Sequence, residues 1–299
     1  MVNPVLLVDD SVRATIAAAG ALAEDVVARP DDPLDVRDPE YIRRTLRPFS
    51  RVTDVYFRPK VRGLENIPAE GPVLLVGNHS GGLLIADTFV FAYAFYQHFG
   101  AHRMFHQLAH DLVFAVRGLG GFLGKYGTVP ASHENAERAL DKGAAVLVYP
   151  GGDHETFRPS WESAEVDFDR RSGWIKLALG KKVPVVPVVS IGGQETALFL
   201  GRGRRIARGL RLDRLLRLKV MPVALGPPLG VTVLDLPARV PLPAQITIEV
   251  LPPVDLRKRF GAKPDVDKAY DEITGDMQEA LDGLQEERDL PVVGALARE

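Results

Sequence analysis

The stretch Leu74 to Asp87, LLVGNHSGGLLIAD, runs from an apolar segment into Asn78, His79, Ser80, Gly81 and Gly82, and Asp87 follows eight residues after the histidine. A neutral imidazole is the natural side chain to take a proton near pH 7. A carboxylate that accepts its second N–H fixes the tautomer and stabilises the imidazolium as it forms. One reading therefore makes His79 a general base with Asp87 as its orienter. Two glycines allow close backbone approach, so the amides of Ser80, Gly81 and Gly82 could receive developing negative charge. The other reading is a turn histidine at a helix start, with Asp87 on the surface. These residues alone leave both open. HSGG also looks like the oxyanion segment of some esterases, but that chemistry requires a G-x-S-x-G nucleophile elbow, and the chain has none.

A second cluster lies in VYPGGDHETFRP. A strand-like run delivers Gly151 and Gly152, then His154, Glu155 and Arg158. A glycine pair at a strand end suits an oxygen-rich group. Arg158 could grip a phosphate or carboxylate with two N–H groups, and Glu155 could pair with Arg158 or orient a hydroxyl. The alternative is a tight turn carrying a surface ion pair. No G-K-[ST] follows, so this is not a nucleotide-hydrolase phosphate loop.

The elements that must position these residues read as an alternation of strands and helices. PVLLVGN, AAVLVYPGG and VPVVPVVSIGG are continuous apolar runs, as expected of strands buried on both faces. RMFHQLAH alternates like a strand. Helices are expected from Asp87 to Gln97, over SHENAERALDKG with Ser132 as cap and Gly143 as stop, and over SGWIKLALGKK. The fold class is α/β: a mixed, largely buried sheet flanked by helices, with ligands gathering where strands end. A helical N-terminal segment, residues 1–58, should hold one helix from Ser11 to Ala28 and another from Pro39 to Phe57 that Pro48 kinks or interrupts. Residues 59–260 form the main domain. Residues 261–299 carry an acidic amphipathic helix that either packs across the domain or mediates self-association.

Among 299 residues there is no cysteine, and the formal net charge is −2. Disulfides, thiolate catalysis and cysteine-ligated metals are thereby excluded, and nothing global points to nucleic acid. The N-terminus lacks the basic start and long apolar run of a secretory leader, and no stretch is apolar enough to span a bilayer. The expected location is cytoplasmic, peripheral on the inner membrane face. Between Gly201 and Lys219 eight Lys/Arg stand against one Asp, with leucines interleaved. Arg204, Arg205, Arg208 and Arg211 could meet anionic head groups; a solvated helix face is the bland alternative. His98, His102, His106 and His110 recur every fourth residue, but Gly100 interrupts any shared helix, and no metal site is assigned.

Taken in order, these motifs resemble the phospholipid/glycerol acyltransferase family. Asn78 and His79 look like its N-H-x4-D motif. Tyr149, Pro150, Gly151 and Gly152 with Glu155 look like the YPGG version of its third motif, found in the diacylglycerol acyltransferase-like branch, where other members carry FPEGTRS. GLGGFLGKYGTVPASHENAERALDKG and KKVPVVPVVSIGG are similar to its second and fourth blocks, so the likeness runs from Lys60 to Leu251. Leu84 stands where the family's aspartate falls, so that role passes to Asp87 across a longer loop. Gly151 replaces the acidic residue of E-G-T-R and His154 its arginine. The resemblance implies a glycerol-phosphate acyltransferase-like fold and transfer of a fatty acyl group from acyl-CoA or acyl-carrier protein to a lipid hydroxyl. His79 and Asp87 would be catalytic. Asn78, Ser80, Gly81, Gly82, Gly151, Gly152, Glu155 and Arg158 would line the substrate. No cofactor beyond the acyl donor is implied, and the partners would be a lipid acceptor and a membrane surface. A lysophosphatidate acyltransferase with an altered phosphate site, and a non-catalytic lipid-binding protein on the same scaffold, are the alternatives.

Overall fold

A computed structural model describes residues 32–82, 86–115, 119–162, 164–209, 223–226, 230–233 and 241–288. The helix expected over Ser11–Ala28 and the position of Arg211 lie outside them. The strands are β1 (Lys60–Arg62), β2 (Val73–Gly77), β3 (Phe105–Ala109), β4 (Thr128–Pro130), β5 (Ala145–Val148), β6 (Val185–Ile191), β7 (Leu198–Gly201), β8 (Val223–Gly226), β9 (Gly230–Val233) and β10 (Thr247–Val250). The helices are α1 (Pro39–Phe57), α2 (Ala86–Phe99), α3 (Asp111–Ala115), α4 (Leu119–Lys125), α5 (His133–Asp141), α6 (Asp153–Thr156), α7 (Gly173–Lys181), α8 (Arg204–Gly209), α9 (Leu256–Phe260) and α10 (Val266–Glu286).

Seven strands form one sheet in the order β1-β10-β6-β2-β5-β3-β4. β2, β3, β4, β5 and β6 run parallel, while β10 is antiparallel to β6 and carries β1 parallel beside it. β2 sits in the middle, in register with β5 (Val76 opposite Val148) and β6 (Gly77 opposite Val188). Being parallel, these three strands end on the same side of the sheet.

The apolar runs are continuous because both faces are covered. Leu74 and Val76 face a core shared with α5, α7 and α10, while Val73 and Leu75 face one shared with α1 and α2. α10 buries Ala269, Tyr270, Ile273, Met277, Leu281 and Leu284 in the first of these cores, at the three- and four-residue spacing of one helix face. The acidic C-terminal helix therefore packs into the domain. Ser132 caps α5 by accepting from Asn135 N–H, and Gly143, at φ +82°, closes it. α1 runs from Pro39 to Phe57 without interruption at Pro48. A proline removes one N–H from the ladder, and α1 packs against α2.

β7, β8 and β9 form a second, antiparallel sheet that follows β6. Among the described residues, no helix is long and apolar enough to cross a membrane.

Candidate active site

The shared ends of β2, β5 and β6 bring the two sequence clusters together. β2 delivers Asn78 and His79, β5 delivers Tyr149 to Gly152, and β6 delivers Ser190 and then Gly192–Gly193. His79 is buried, and its ring lies on that of Tyr149 with centroids 4.1 Å apart and planes at 19°. Gly77 makes room beneath: a Cβ there would stand 2.6 Å from Tyr149 Cε1.

Asp87, in the first turn of α2, places Oδ1 at 3.4 Å from His79 Nδ1. That is a close approach rather than a formed hydrogen bond, since Nδ1 has no aligned partner. Resting catalytic pairs are often long and tighten with substrate bound. The carboxylate is held rigidly. Its Oδ1 accepts from Thr88 N–H at 2.7 Å, and its Oδ2 from Ser80 N–H at 3.2 Å and Ser190 Oγ at 3.3 Å. Thr88 Oγ1 in turn donates to the Tyr149 hydroxyl at 2.9 Å. Desolvation of that hydroxyl, together with the Asp87 charge, pushes Tyr149 well above the usual phenol range. Tyr149 is thus a neutral platform.

Several residues expected to touch substrate are instead committed to the protein. Asn78 clamps β6: its Nδ2 donates to Ser190 O at 2.9 Å and its Oδ1 accepts from Ser190 N–H at 2.7 Å. Two of the three amides expected to receive an oxyanion are engaged within the protein: Ser80 N–H goes to Asp87 and Gly82 N–H goes to Thr156 O at 3.1 Å. Gly81, at φ +103°, lets the turn lie against the loop after β6, where a Cβ would meet Gly193 O at 2.7 Å.

Arg158 is likewise turned inward. It is fully buried, donates to Glu155 Oε1 at 2.6 Å, and serves the carbonyls of Glu155, Glu162 and Glu165. It is a buried strut, neither the expected anion ligand nor a surface ion pair. The Glu155 carboxylate fills the space above Gly151, where a Cβ would be 2.3 Å from Glu155 Cγ. So Gly151 admits the protein's own carboxylate rather than a ligand. Arg171 does the same at Gly152, where a Cβ would lie 3.1 Å from its Nη1. Burial pushes the Glu155 carboxyl up to about 7, against the pull of Arg158 and the Asp167 N–H. His154 is buried and joined to Asp167 at 2.5 Å.

Sequence reasoning missed Tyr149 as platform, Ser190 and Thr88 as supports of Asp87, and Arg171, which donates to Gly151 O at 3.0 Å and pairs with Asp153 at 3.1 Å. The histidine stripe dissolves: His98 lies near the end of α2, His102 in the turn after it and His106 in β3. Arg204, Arg205 and Arg208 lie on α8, with Arg208 exposed. A groove of about 1410 Å³ opens near Val183, Pro184, Leu251 and Arg257 at the start of β6, the opposite end of the sheet from His79.

Residues 58–191 match the family model described as Acyltransferase. The chain is 32% identical over 172 residues to an uncharacterized protein of Mycobacterium tuberculosis, a match covering 57% of this chain and 48% of that protein. It is 29% identical over 151 residues to the DGAT1/2-independent enzyme synthesizing storage lipids of Bos taurus, covering 50% and 43%. It is 32% identical over 147 residues to the chloroplastic phytyl ester synthase 2 of Arabidopsis thaliana, covering 45% and 20%. The matches thus span about half or less of these curated relatives. Among solved structures, the 1-acyl-sn-glycerophosphate (LPA) acyltransferase PlsC of Thermotoga maritima shares the fold, with a TM-score of 0.52 over 93% of both chains at 17% identity. The segment 58–191, which is similar to that acyltransferase family model, holds both motifs and all three strand ends that build the site.

Proposed function

We infer that this protein transfers a fatty acyl group from an acyl thioester, acyl-CoA or acyl-carrier protein, to the hydroxyl of a glycerolipid-like acceptor. The observation that carries the reading is the buried His79–Asp87 pair at the common end of β2, β5 and β6, stacked on Tyr149. His79 takes the acceptor's hydroxyl proton as the oxygen attacks the thioester carbonyl. The tetrahedral intermediate collapses with loss of the thiolate, which takes the proton back from the imidazolium. The products are an ester and a free thiol. Asp87 stabilises the imidazolium between those two events. Transfer is direct, without an enzyme nucleophile, which suits a chain lacking cysteine.

The acceptor side favours an uncharged alcohol. Arg158, the candidate anion ligand of the third motif, is engaged by Glu155 and carbonyls. Relatives named for storage lipids and for phytyl ester synthesis are compatible with that reading. A lysophosphatidate acceptor remains the second reading, favoured by the fold it shares with PlsC. The test is thiol release from acyl-CoA with mono- and diacylglycerol, a long-chain alcohol or lysophosphatidate offered in turn. His79→Ala should abolish acceptor-dependent release. Undiminished turnover in that variant would remove the histidine-base mechanism, and preference for lysophosphatidate would overturn the uncharged acceptor.

A further inference from the structure

The small β7–β8–β9 sheet has two unlike faces. Phe199, Ala224 and Thr232 stand in one register row and are buried. Phe199 and Ala224 pack on Phe157, the residue immediately after α6, so this inner face is fastened to the loop that carries Gly151 and Glu155. The adjacent row is Leu198, Leu225 and Val231, and it faces outward. Leu198 is 46% exposed and Val231 61%, and Leu200, at an irregularity in the β7 register, is 45% exposed. Trp161, 68% exposed, stands at the free edge of β7, where its neighbour Ser160 accepts from Phe199 N–H and donates to Ala197 O. These are four of the six large exposed apolar side chains among the described residues.

The charge around this face has one sign in excess. β7 leads directly into α8, which carries Arg204, Arg205 and the exposed Arg208 and no acidic residue. Glu162, beside Trp161, is neutralised by Arg202 at 2.6 Å. Leucines and a tryptophan next to the arginines of α8 match the interface of an anionic bilayer, where apolar side chains enter the head-group boundary and arginines meet phosphates.

We propose that the outward face of the β7–β8–β9 sheet, with Trp161 at its edge and the arginines of α8 beside it, is the surface by which this protein rests on an anionic membrane. The inner face packs on Phe157, and the neighbouring Thr156 accepts from Gly82 N–H three residues after His79, so the docking face and the site are joined through one segment. The proposal deepens the acyl-transfer reading by naming where a lipid acceptor would be met, but binding is measured without turnover, so either can fail alone.

The test uses the full chain and vesicles of phosphatidylcholine, with or without phosphatidylglycerol. Wild type and His79→Ala should both co-sediment with the anionic vesicles and only weakly with the neutral ones. Leu198→Ser/Leu200→Ser should bind about tenfold less, as expected for withdrawing two leucines from lipid. Arg208→Gln should bind less at low salt. To separate lost docking from lost folding, brominated lipid should quench wild-type tryptophan emission, and Trp161→Phe should lose that quenching, since Trp174, the other tryptophan, is buried. Undiminished binding by the leucine double variant, or no quenching in wild type, overturns the proposal. So does a wild-type dimer that the leucine substitutions dissolve while vesicle binding is unchanged, because the face would then cover a second copy.

Discussion

The imidazole of His79 lies flat on the phenol ring of Tyr149, 4.1 Å centroid to centroid, although the two residues come from different strands and different motifs. Stacking of this kind contributes roughly 0.5–1.5 kcal/mol beyond area burial. On the proposed mechanism it holds the ring plane in which the proton is accepted. Tyr149→Phe keeps the ring and loses only the bond from Thr88, so its kcat should stay within about threefold of wild type. Tyr149→Ala removes the platform, and kcat should drop by about tenfold or more with KM for the acyl donor little changed. Equal kcat in all three proteins would show that the stack plays no part in positioning His79.

On the proposed mechanism Asp87 acts through His79, so the two should not contribute independently. Asp87→Asn would present an amide to donors that now meet a carboxylate, and would no longer favour the imidazolium. We expect kcat to drop by roughly 10²–10⁴-fold. His79→Ala/Asp87→Asn should be no slower than His79→Ala alone, as found for residues that work as a unit. Multiplying losses in the double variant would assign Asp87 a separate role.

Asn78 is a structural clamp by its contacts, and its substitution should read as stability rather than affinity. Asn78→Ala leaves the buried backbone N–H and C=O of Ser190 without that partner, which costs on the order of 2–4 kcal/mol. A lowered denaturation midpoint with an unchanged KM for acceptor fits the clamp. An unchanged midpoint with a raised KM would return Asn78 to the substrate.

What was legible in the sequence follows range. The strands β2, β5 and β6 are continuous apolar runs, and α5 has its cap and stop, because local pattern specifies both. His79 and Asp87 were legible as a pair because they flank one strand-to-helix turn. Three features depended on chain segments far apart and were not readable. Asn78 meets Ser190 across β2 and β6. Gly82 N–H meets Thr156 O across two loops. Tyr149 reaches under His79 only because β2 and β5 are neighbours. Gly77 was the usable clue, since a glycine ending an apolar strand signals that another group approaches its Cα face. The inward turn of Arg158 was hidden for another reason: a Glu and an Arg three residues apart look the same in sequence whether buried or solvated.

Glu155 should make stability depend on pH in a direction opposite to most carboxylates. Its ordinary value is 4.5 and burial pushes it up to about 7, so between those values the folded chain binds more protons than the unfolded one. Its contribution is complete below about pH 4.5 and is lost as pH rises through about 7. Glu155→Gln stays neutral and lacks that slope. The stability of wild type relative to the variant should therefore decrease from about pH 5 to about pH 7.5, measured by denaturant unfolding at several pH values. A constant difference across that window would show that the carboxyl titrates as if exposed.

The shared space of Gly151 and Glu155 gives a sharper test of how this YPGG loop is built. A side chain at 151 and the carboxylate of Glu155 compete for one volume, and that volume lies beside Arg158. Glu155→Ala leaves Arg158 buried beside no charge, at about 3–5 kcal/mol. Gly151→Glu inserts a second carboxylate where the first already stands, and overpacking there costs about 1–3 kcal/mol or more. Combined, the two changes leave one carboxylate and one guanidinium, with the acid supplied from 151 instead of one helical turn later. The double variant should therefore be more stable than the sum of the two singles by about 2 kcal/mol, a coupling large enough to read from a double-mutant cycle. Acyl transfer should recover in parallel if the carboxylate's position, rather than its origin in the chain, is what holds the loop beside His79. Simple additivity would mean that the two positions do not share a function, and that glycine at 151 serves only the turn.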